Sequence, residues 1–150
     1  KPQHEVAWQQ IKTNLIQRPV LVAPNHTKPY ILQTDASDYG ISANLVQLDD
    51  NGIEHVVSYS SRKLLPRETR YSVIEKECLA ILHGLFKHDN WIYGQHVTVQ
   101  SDHKALMWLG SISQHSPRLA RWALLLQRYD VSTVWRPANF NKNSDALSRL

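Results

Sequence analysis

Asp49-Asp50-Asn51-Gly52 constrains the folding of this chain more than any other stretch, because an Asn-Gly pair between two extended runs reads as a hairpin turn. Ile41 to Leu48 before it and Glu54 to Ser60 after it read as strands. Tyr30 to Asp35 reads as another strand, joined on through Ala36–Gly40, so this stretch predicts a three-strand meander. The rhythm then changes. From Arg70 to about Lys87 the apolar residues Ile74, Cys78, Ile81, Leu82 and Leu85 recur at i, i+4, i+7, i+8 and i+11, the stripe of an amphipathic helix. His96 to Ser101 reads as a fourth strand and His103–Leu109 as a short helix. Pro117–Tyr129 follows as a longer helix with Pro in its first turn, Val131–Arg136 as a fifth strand, and a last helix begins near Ser144. Ahead of them all, Val6, Ile11, Leu15 and Ile16 predict a helix that Pro19 ends. Strands first, then strands alternating with helices, imply a mixed sheet with helices packed on it.

With 150 residues, 42% apolar and only 5 Gly and 7 Pro, the chain is the size of one ordinary domain with a real core. A formal charge of +4 and a pI near 9.3 suit an anionic partner, although so modest an excess is as common in proteins that bind nothing acidic. Cys78, the lone cysteine, excludes an intrachain disulfide and a cysteine zinc site and points to an intracellular setting. No apolar run approaches the ~18 residues of a membrane span, and Lys1-Pro2-Gln3-His4 opens no signal-peptide core. A soluble chain with no membrane partner is expected.

Four short acidic motifs stand where these elements should start or end: Thr34-Asp35-Ala36-Ser37, Glu75-Lys76-Glu77-Cys78-Leu79-Ala80, Ser101-Asp102-His103-Lys104 and Ser144-Asp145-Ala146-Leu147-Ser148-Arg149. Carboxylates in that order suggest a site for two hard cations. Mg²⁺ takes oxygen ligands, keeps several waters and is held by a few carboxylates plus substrate phosphates, so the set suits phosphodiester chemistry and the chain reads as a nuclease. Each carboxylate alone has a plainer reading. Asp35 could form a turn, Asp102 cap the helix near His103, and Asp145 supply a favourable first-turn charge. Those readings leave unexplained why Asp35 and Asp102 both end core strands, the place where an α/β sheet carries its site. Glu75 and Glu77 flank the apolar stripe at similar angles, so periodicity does not choose between them.

Basic residues gather in two groups, Arg62, Lys63, Arg67 and Arg70 before the long helix and Arg118, Arg121, Arg128 and Arg136 around the later helix and strand. Singly they read as a solvated face; as sets they read as phosphate contacts. Arg62, Arg70, Lys104 and Arg136 lie nearest the acidic motifs. Trp91, Trp108, Trp122 and Trp135 each sit in an apolar element and read as core rather than as stacking platforms.

Six stretches in this order resemble the ribonuclease H domain of a reverse transcriptase of the Ty3/gypsy class of LTR retrotransposons: TDASDYGI (34–41), YSSRKL (59–64), RYSVIEKECLAI (70–81), YGQHVTVQSDHKALMWL (93–109), RLARWALLLQRYD (118–130) and WRP…SDALSR (135–149). The match runs from about Trp8 to Arg149. It implies a ribonuclease H-like α/β fold, in which the antiparallel meander and two parallel strands form a mixed five-stranded sheet with helices on both faces. It implies that residues 1–28 are the end of a connection segment with its amphipathic helix, that residues 29–150 are the ribonuclease H domain, and that the chain is part of a Pol polyprotein. It also selects Glu77, because the metal-binding Glu of these enzymes opens a run of small and apolar residues, here Glu77-Cys78-Leu79-Ala80-Ile81. Glu75 is then a solvated residue or a partner for nearby basic residues.

By the same resemblance Asp35, Glu77, Asp102 and Asp145 are the catalytic residues and the ligands of two Mg²⁺ ions, for which Mn²⁺ can substitute. Asp35 would bridge both ions, Asp145 would help hold the one that activates water, and Glu77 and Asp102 the one at the leaving group. The implied reaction cuts the RNA strand of an RNA–DNA hybrid to leave 5′-phosphate and 3′-hydroxyl ends, with recognition of 2′-hydroxyls in a wide, shallow minor groove. Ser37, Arg62, Arg70, Tyr71, Ser72, Lys104, Arg136 and Asn139 are the candidate substrate contacts. The implied partners are the hybrid and the polymerase and connection parts of the same polyprotein, within a dimeric reverse transcriptase. A cytoplasmic particle or the nucleus is the implied location.

Departures and rivals sharpen these expectations. Between Asp102 and Asp145 there is no room for the extra basic helix with which bacterial enzymes grip substrate, so weak activity of the isolated domain is expected. Asn139 stands where many relatives carry a His, and Asn does not titrate near neutral pH. Ser42-Ala43-Asn44 stands where relatives have Gly-Ala-Val. A DDE integrase or transposase needs a Glu well after its second Asp, and this chain has none after Glu77. The other rival is a non-catalytic, domesticated module that binds hybrid or the polymerase; decayed copies usually lose carboxylates, and all four are present here.

Overall fold

In the computed structural model, residues 2–17, 21–104, 106, 111 and 113–137 are described, with backbone alone at 2, 3, 11, 12 and 14–17. In chain order the elements are α1 (Pro2–Gln17), β1 (Tyr30–Ala36), β2 (Gly40–Leu48), β3 (Glu54–Lys63), α2 (Val73–Lys87), α3 (Asp89–Ile92), β4 (His96–Ser101), α4 (Pro117–Leu126) and β5 (Asp130–Trp135), with a 3-10 turn over Glu68–Arg70. The strands form one mixed sheet in the order β3-β2-β1-β4-β5. β1, β2 and β3 make the antiparallel meander, while β4 runs parallel to β1 and β5 parallel to β4. The implied five-stranded α/β sheet is therefore the one observed. The helix expected near Ser144 lies outside the described residues, as does most of the short helix expected over His103–Leu109. Among the described residues no helix is long and apolar enough to cross a membrane.

The hairpin turn forms as its residues dictate. Gly52 takes φ +77°, and the Asp49 carboxylate accepts from the backbone N–H groups of Asn51 at 2.8 Å and Ile53 at 2.9 Å. β3 runs on to Lys63, beyond the expected end at Ser60, because Ser61, Arg62 and Lys63 continue the ladder opposite Ser42, Ile41 and Gly40. At its other end the long helix starts later than expected, at Val73 rather than Arg70. Ser72 fixes that start. Its hydroxyl accepts from Glu75 N–H at 3.3 Å while the Glu75 carboxylate accepts from Ser72 N–H at 3.0 Å, a capping box. α4 ends at Leu126 instead of Tyr129, and the turn lets the buried Tyr129 ring donate its hydroxyl to Asp89 at 2.5 Å.

α2 packs across β1 and β2, and α4 packs on α2. Cys78, Ile81, Leu82 and Leu85 of α2 join Leu32, Leu45, Val97 and Val99 of the sheet in one core that also takes Leu119 and Leu126 of α4. The closest approach is at Gly84, where a Cβ would lie 2.6 Å from Ala43 Cβ and 2.9 Å from Leu32 Cδ2. Gly84→Ala should therefore destabilise the protein. Overpacking costs about 1–3 kcal/mol, or more against backbone-anchored neighbours, which outweighs the ~1 kcal/mol that Ala gains in helix propensity. Thermal unfolding should show a melting temperature lower by a few degrees, about 2–4 °C per kcal/mol at this size. An unchanged or raised value would mean that helix and sheet are further apart than described.

Candidate functional site

In the parallel pair β1–β4, Gln33 stands opposite Gln100. Asp35 and Asp102 each lie two residues further on, so the register brings two carboxylates level at the same end of two central strands. α2 brings the third. Glu77, Ala80, Ile81 and Gly84 share one helical stripe, and that stripe faces the sheet, where Gly84 meets Ala43 and Leu32. Oxygens of Asp35, Glu77 and Asp102 lie within 4.8 Å of one another. Asp35 and Glu77 are buried and Asp102 is half-buried.

Such a cluster is electrostatically costly as it stands. Burial, then the charges of Asp35 and Asp102, push the Glu77 carboxyl up from 4.5 to about 9, against one backbone hydrogen bond from Ala36 that works the other way. Glu77 Oε2 is buried with no hydrogen-bond partner among the described residues. A buried, orphaned carboxylate oxygen facing two more carboxylates is what a hard divalent cation would satisfy, and the all-oxygen donor set suits Mg²⁺ or Mn²⁺. The residues present fit the cation the sequence implied.

Glu75, which periodicity left level with Glu77, has a different place. It points to α4, and is neither a member of the cluster nor solvated. Its Oε1 accepts from Ser116 Oγ at 3.1 Å and Arg118 Nη1 at 2.9 Å, so the expected basic partner is real and the expected solvation is not. The signal that separates the two glutamates was in the sequence. Small residues at Ala80 and Gly84 mark the stripe that can approach a sheet closely, and Glu77 lies on it.

The candidate substrate contacts fall in several places. The Ser37 hydroxyl accepts from the backbone N–H groups of Tyr39 at 3.2 Å and Gly40 at 3.1 Å, and so shapes the loop after Asp35. Ser72 caps α2, and Tyr71 lies under the Arg118 guanidinium, 4.0 Å from its ring centroid. Arg62 pairs with the buried Glu68 at 2.7 Å, and Arg136 reaches Glu54 at 2.6 Å and Gln100 at 2.7 Å. Arg70 and Lys104 are exposed. Asp145 and Asn139 lie outside the described residues. Trp91 and Trp122 pack on the core as expected. Trp135 does not: it is 43% exposed at the end of edge strand β5, with its indole N–H donating to Asp102 O at 3.1 Å and Lys104 Nζ 4.8 Å over its ring. Trp108 lies outside the described residues.

Beside the carboxylates opens a cavity of about 440 Å³ lined by Ala36, Ser37, Asp38, Tyr39, Val73, Lys76 and Glu77. Lys76 is buried there and donates to the exposed Asp38 at 2.8 Å. No sequence pattern marks this lysine, a base between two acids on a helix.

Comparison with known proteins identifies the family and the fold. Residues 25–129 match the family model described as the RNase H-like domain found in reverse transcriptase. The chain is 35% identical over 144 residues to the retrovirus-related Pol polyprotein from transposon 297 of Drosophila melanogaster, covering 96% of this chain and 13% of that one. It is 37% identical over 158 residues to the transposon Tf2-3 polyprotein of Schizosaccharomyces pombe, covering 99% of this chain and 12% of that one. The chain thus spans about an eighth of the length of these curated relatives. Among solved structures, it resembles the foamy viral protease-reverse transcriptase in complex with RNA/DNA hybrid, with TM-score 0.63 and 16% identity over 91% of this chain and 19% of that one. It also resembles RNase H1 from the halophilic archaeon Halobacterium salinarum, with TM-score 0.60 and 19% identity over 79% of this chain and 93% of that one.

Proposed function

We propose that this chain, which belongs to the family of RNase H-like domains found in reverse transcriptase and to its Ty3/gypsy class, is an endoribonuclease that cuts the RNA strand of RNA–DNA hybrids during retrotransposon reverse transcription. The observation that carries this reading is the convergence of Asp35, Glu77 and Asp102 at one end of the sheet. In this reading residues 29–150 are the catalytic domain, residues 1–28 end a connection segment, and Asp145 completes the ligand set for two Mg²⁺ or Mn²⁺ ions. The polymerase and connection parts of the polyprotein are its partners within a dimeric enzyme, in a cytoplasmic particle or the nucleus.

The side chains divide the work. Bound cations supply charge neutralisation, a nucleophilic water and a stabilised leaving oxygen. Asp35, Glu77 and Asp102 would hold them, and without them three clustered carboxylates would repel a phosphodiester. Lys76, in the cavity that Glu77 shares, offers an ammonium group to a substrate phosphate once Asp38 releases it. Arg70 and Lys104 are exposed and suited to phosphate, whereas Arg62 and Arg136 must first leave Glu68 and Glu54.

A labelled RNA–DNA hybrid incubated with the chain and Mg²⁺ or Mn²⁺ should yield shortened RNA with 5′-phosphate and 3′-hydroxyl ends and an intact DNA strand. Chelation should abolish the products. Hybrid retained but never cut, with either ion and at high enzyme, would replace this reading with that of a non-catalytic binding module.

A further inference from the structure

We infer that Glu75 is a positioning residue for Glu77, acting as a clasp between the N-termini of α2 and α4; the inference rests on the metal-dependent reading of the site given above. The Glu75 carboxylate is buried and used on both oxygens. Oε2 accepts from Ser72 N–H at 3.0 Å and closes the capping box of α2. Oε1 accepts from Ser116 Oγ at 3.1 Å and from Arg118 Nη1 at 2.9 Å. Ser116 is itself the N-cap of α4, accepting from Leu119 N–H at 3.1 Å. Arg118 is held in turn over Tyr71, whose ring packs on Trp122 of α4 at 5.8 Å. One carboxylate therefore ties together the opening turns of two helices, where backbone N–H groups have no partners within the helix.

What this clasp opposes lies two residues away. Glu77 opens the next turn of α2, among the charges of Asp35 and Asp102, so its ionised form, the one that binds a cation, is repelled by both and works to lift the start of α2 off the strand ends. Glu75 faces away from the cluster and is anchored on α4, which holds the turn down from the opposite side. Geometry fixed before the cation arrives is what gives a carboxylate site its affinity, and loss of outer partners of this kind weakens metal binding by roughly 10–100-fold.

Calorimetric titration of the whole chain with Mn²⁺, without nucleic acid, tests the clasp. Glu75→Gln and Arg118→Met remove it from its two ends and should each weaken Mn²⁺ binding by roughly tenfold or more. The two substitutions change the net charge in opposite directions. If Glu75 acted only through its charge, Glu75→Gln would weaken binding and Arg118→Met would tighten it, and that result would overturn the inference. Unchanged affinity in both, accompanied by lower melting temperatures, would reduce Glu75 to an ordinary helix cap and overturn it as well. Ser116→Ala alters no charge and serves as the variant if either of the others fails to fold; weaker binding supports the clasp and unchanged binding overturns it. Because no substrate enters the titration, a wild-type chain that binds Mn²⁺ and never cuts hybrid would refute the hydrolase reading while leaving this test intact.

Discussion

Asp35→Asn is expected to lower hybrid cleavage by at least ~100-fold while leaving the fold in place. The substitution keeps the size of the side chain at the end of β1 and removes the charge that faces both Glu77 and Asp102. Its effect should lie in turnover, since the substitution leaves the proposed phosphate contacts Lys76, Arg70 and Lys104 in place. Single-turnover rates at saturating enzyme separate the two, with hybrid binding measured in Ca²⁺ as the companion quantity. Cleavage at the wild-type rate by Asp35→Asn would remove the carboxylate cluster from the mechanism.

Glu77→Gln is expected to abolish cleavage and, in the same protein, to raise the stability of the metal-free form. The carboxyl of Glu77 lies at about 9 in the folded chain against an ordinary value of 4.5, so between those values the folded state keeps a proton that the unfolded state gives up. Unfolding then releases a proton, and stability falls as pH rises through that window, by up to about 1.4 kcal/mol per pH unit for one group. Below the window both states are protonated and the penalty vanishes. Glutamine has nothing to release. In chelator at pH 8, Glu77→Gln should therefore melt at least ~5 °C above wild type, and at pH 4 the two should converge. Mg²⁺ should reverse the order by stabilising wild type alone. Parallel melting curves across pH would show that Glu77 is not buried against two other carboxylates. The result expected is a site that costs the fold stability until a cation occupies it.

Much of this arrangement is legible in the sequence. The Asp49-Asp50-Asn51-Gly52 turn fixed the meander because only a few residue types supply that backbone, and β4 was bounded correctly at His96 and Ser101. Other boundaries depended on partners that a linear reading does not see. β3 reaches Lys63 because β2 offers it a ladder as far back as Gly40. The start of α2 is legible too, since Ser72-x-x-Glu75 is a capping box in one-dimensional form, whereas apolar periodicity alone does not mark it. For the site, strand ends point to Asp35 and Asp102, whereas Glu77 is singled out by the family pattern or by the small Ala80 and Gly84 on its stripe, not by apolar periodicity. The arginines were the least legible. Arg62 meets Glu68 six residues away, but Arg136 meets Glu54 across 82 residues, and no local pattern announces such a pair.

The strand order β3-β2-β1-β4-β5 has a kinetic consequence. The meander closes through neighbours in sequence, but β1 gains its other edge only when β4 arrives, with Gln33 and Gln100 pairing across 67 residues. Loop closure of that length is a slow step compared with hairpin formation. Asp102 travels with β4, so its charge joins those of Asp35 and Glu77 only when β4 docks. That docking therefore carries the share of the electrostatic cost that Asp102 brings. Divalent cations should leave the rate of meander formation untouched and govern how fast and how often the second half of the sheet seats against the first.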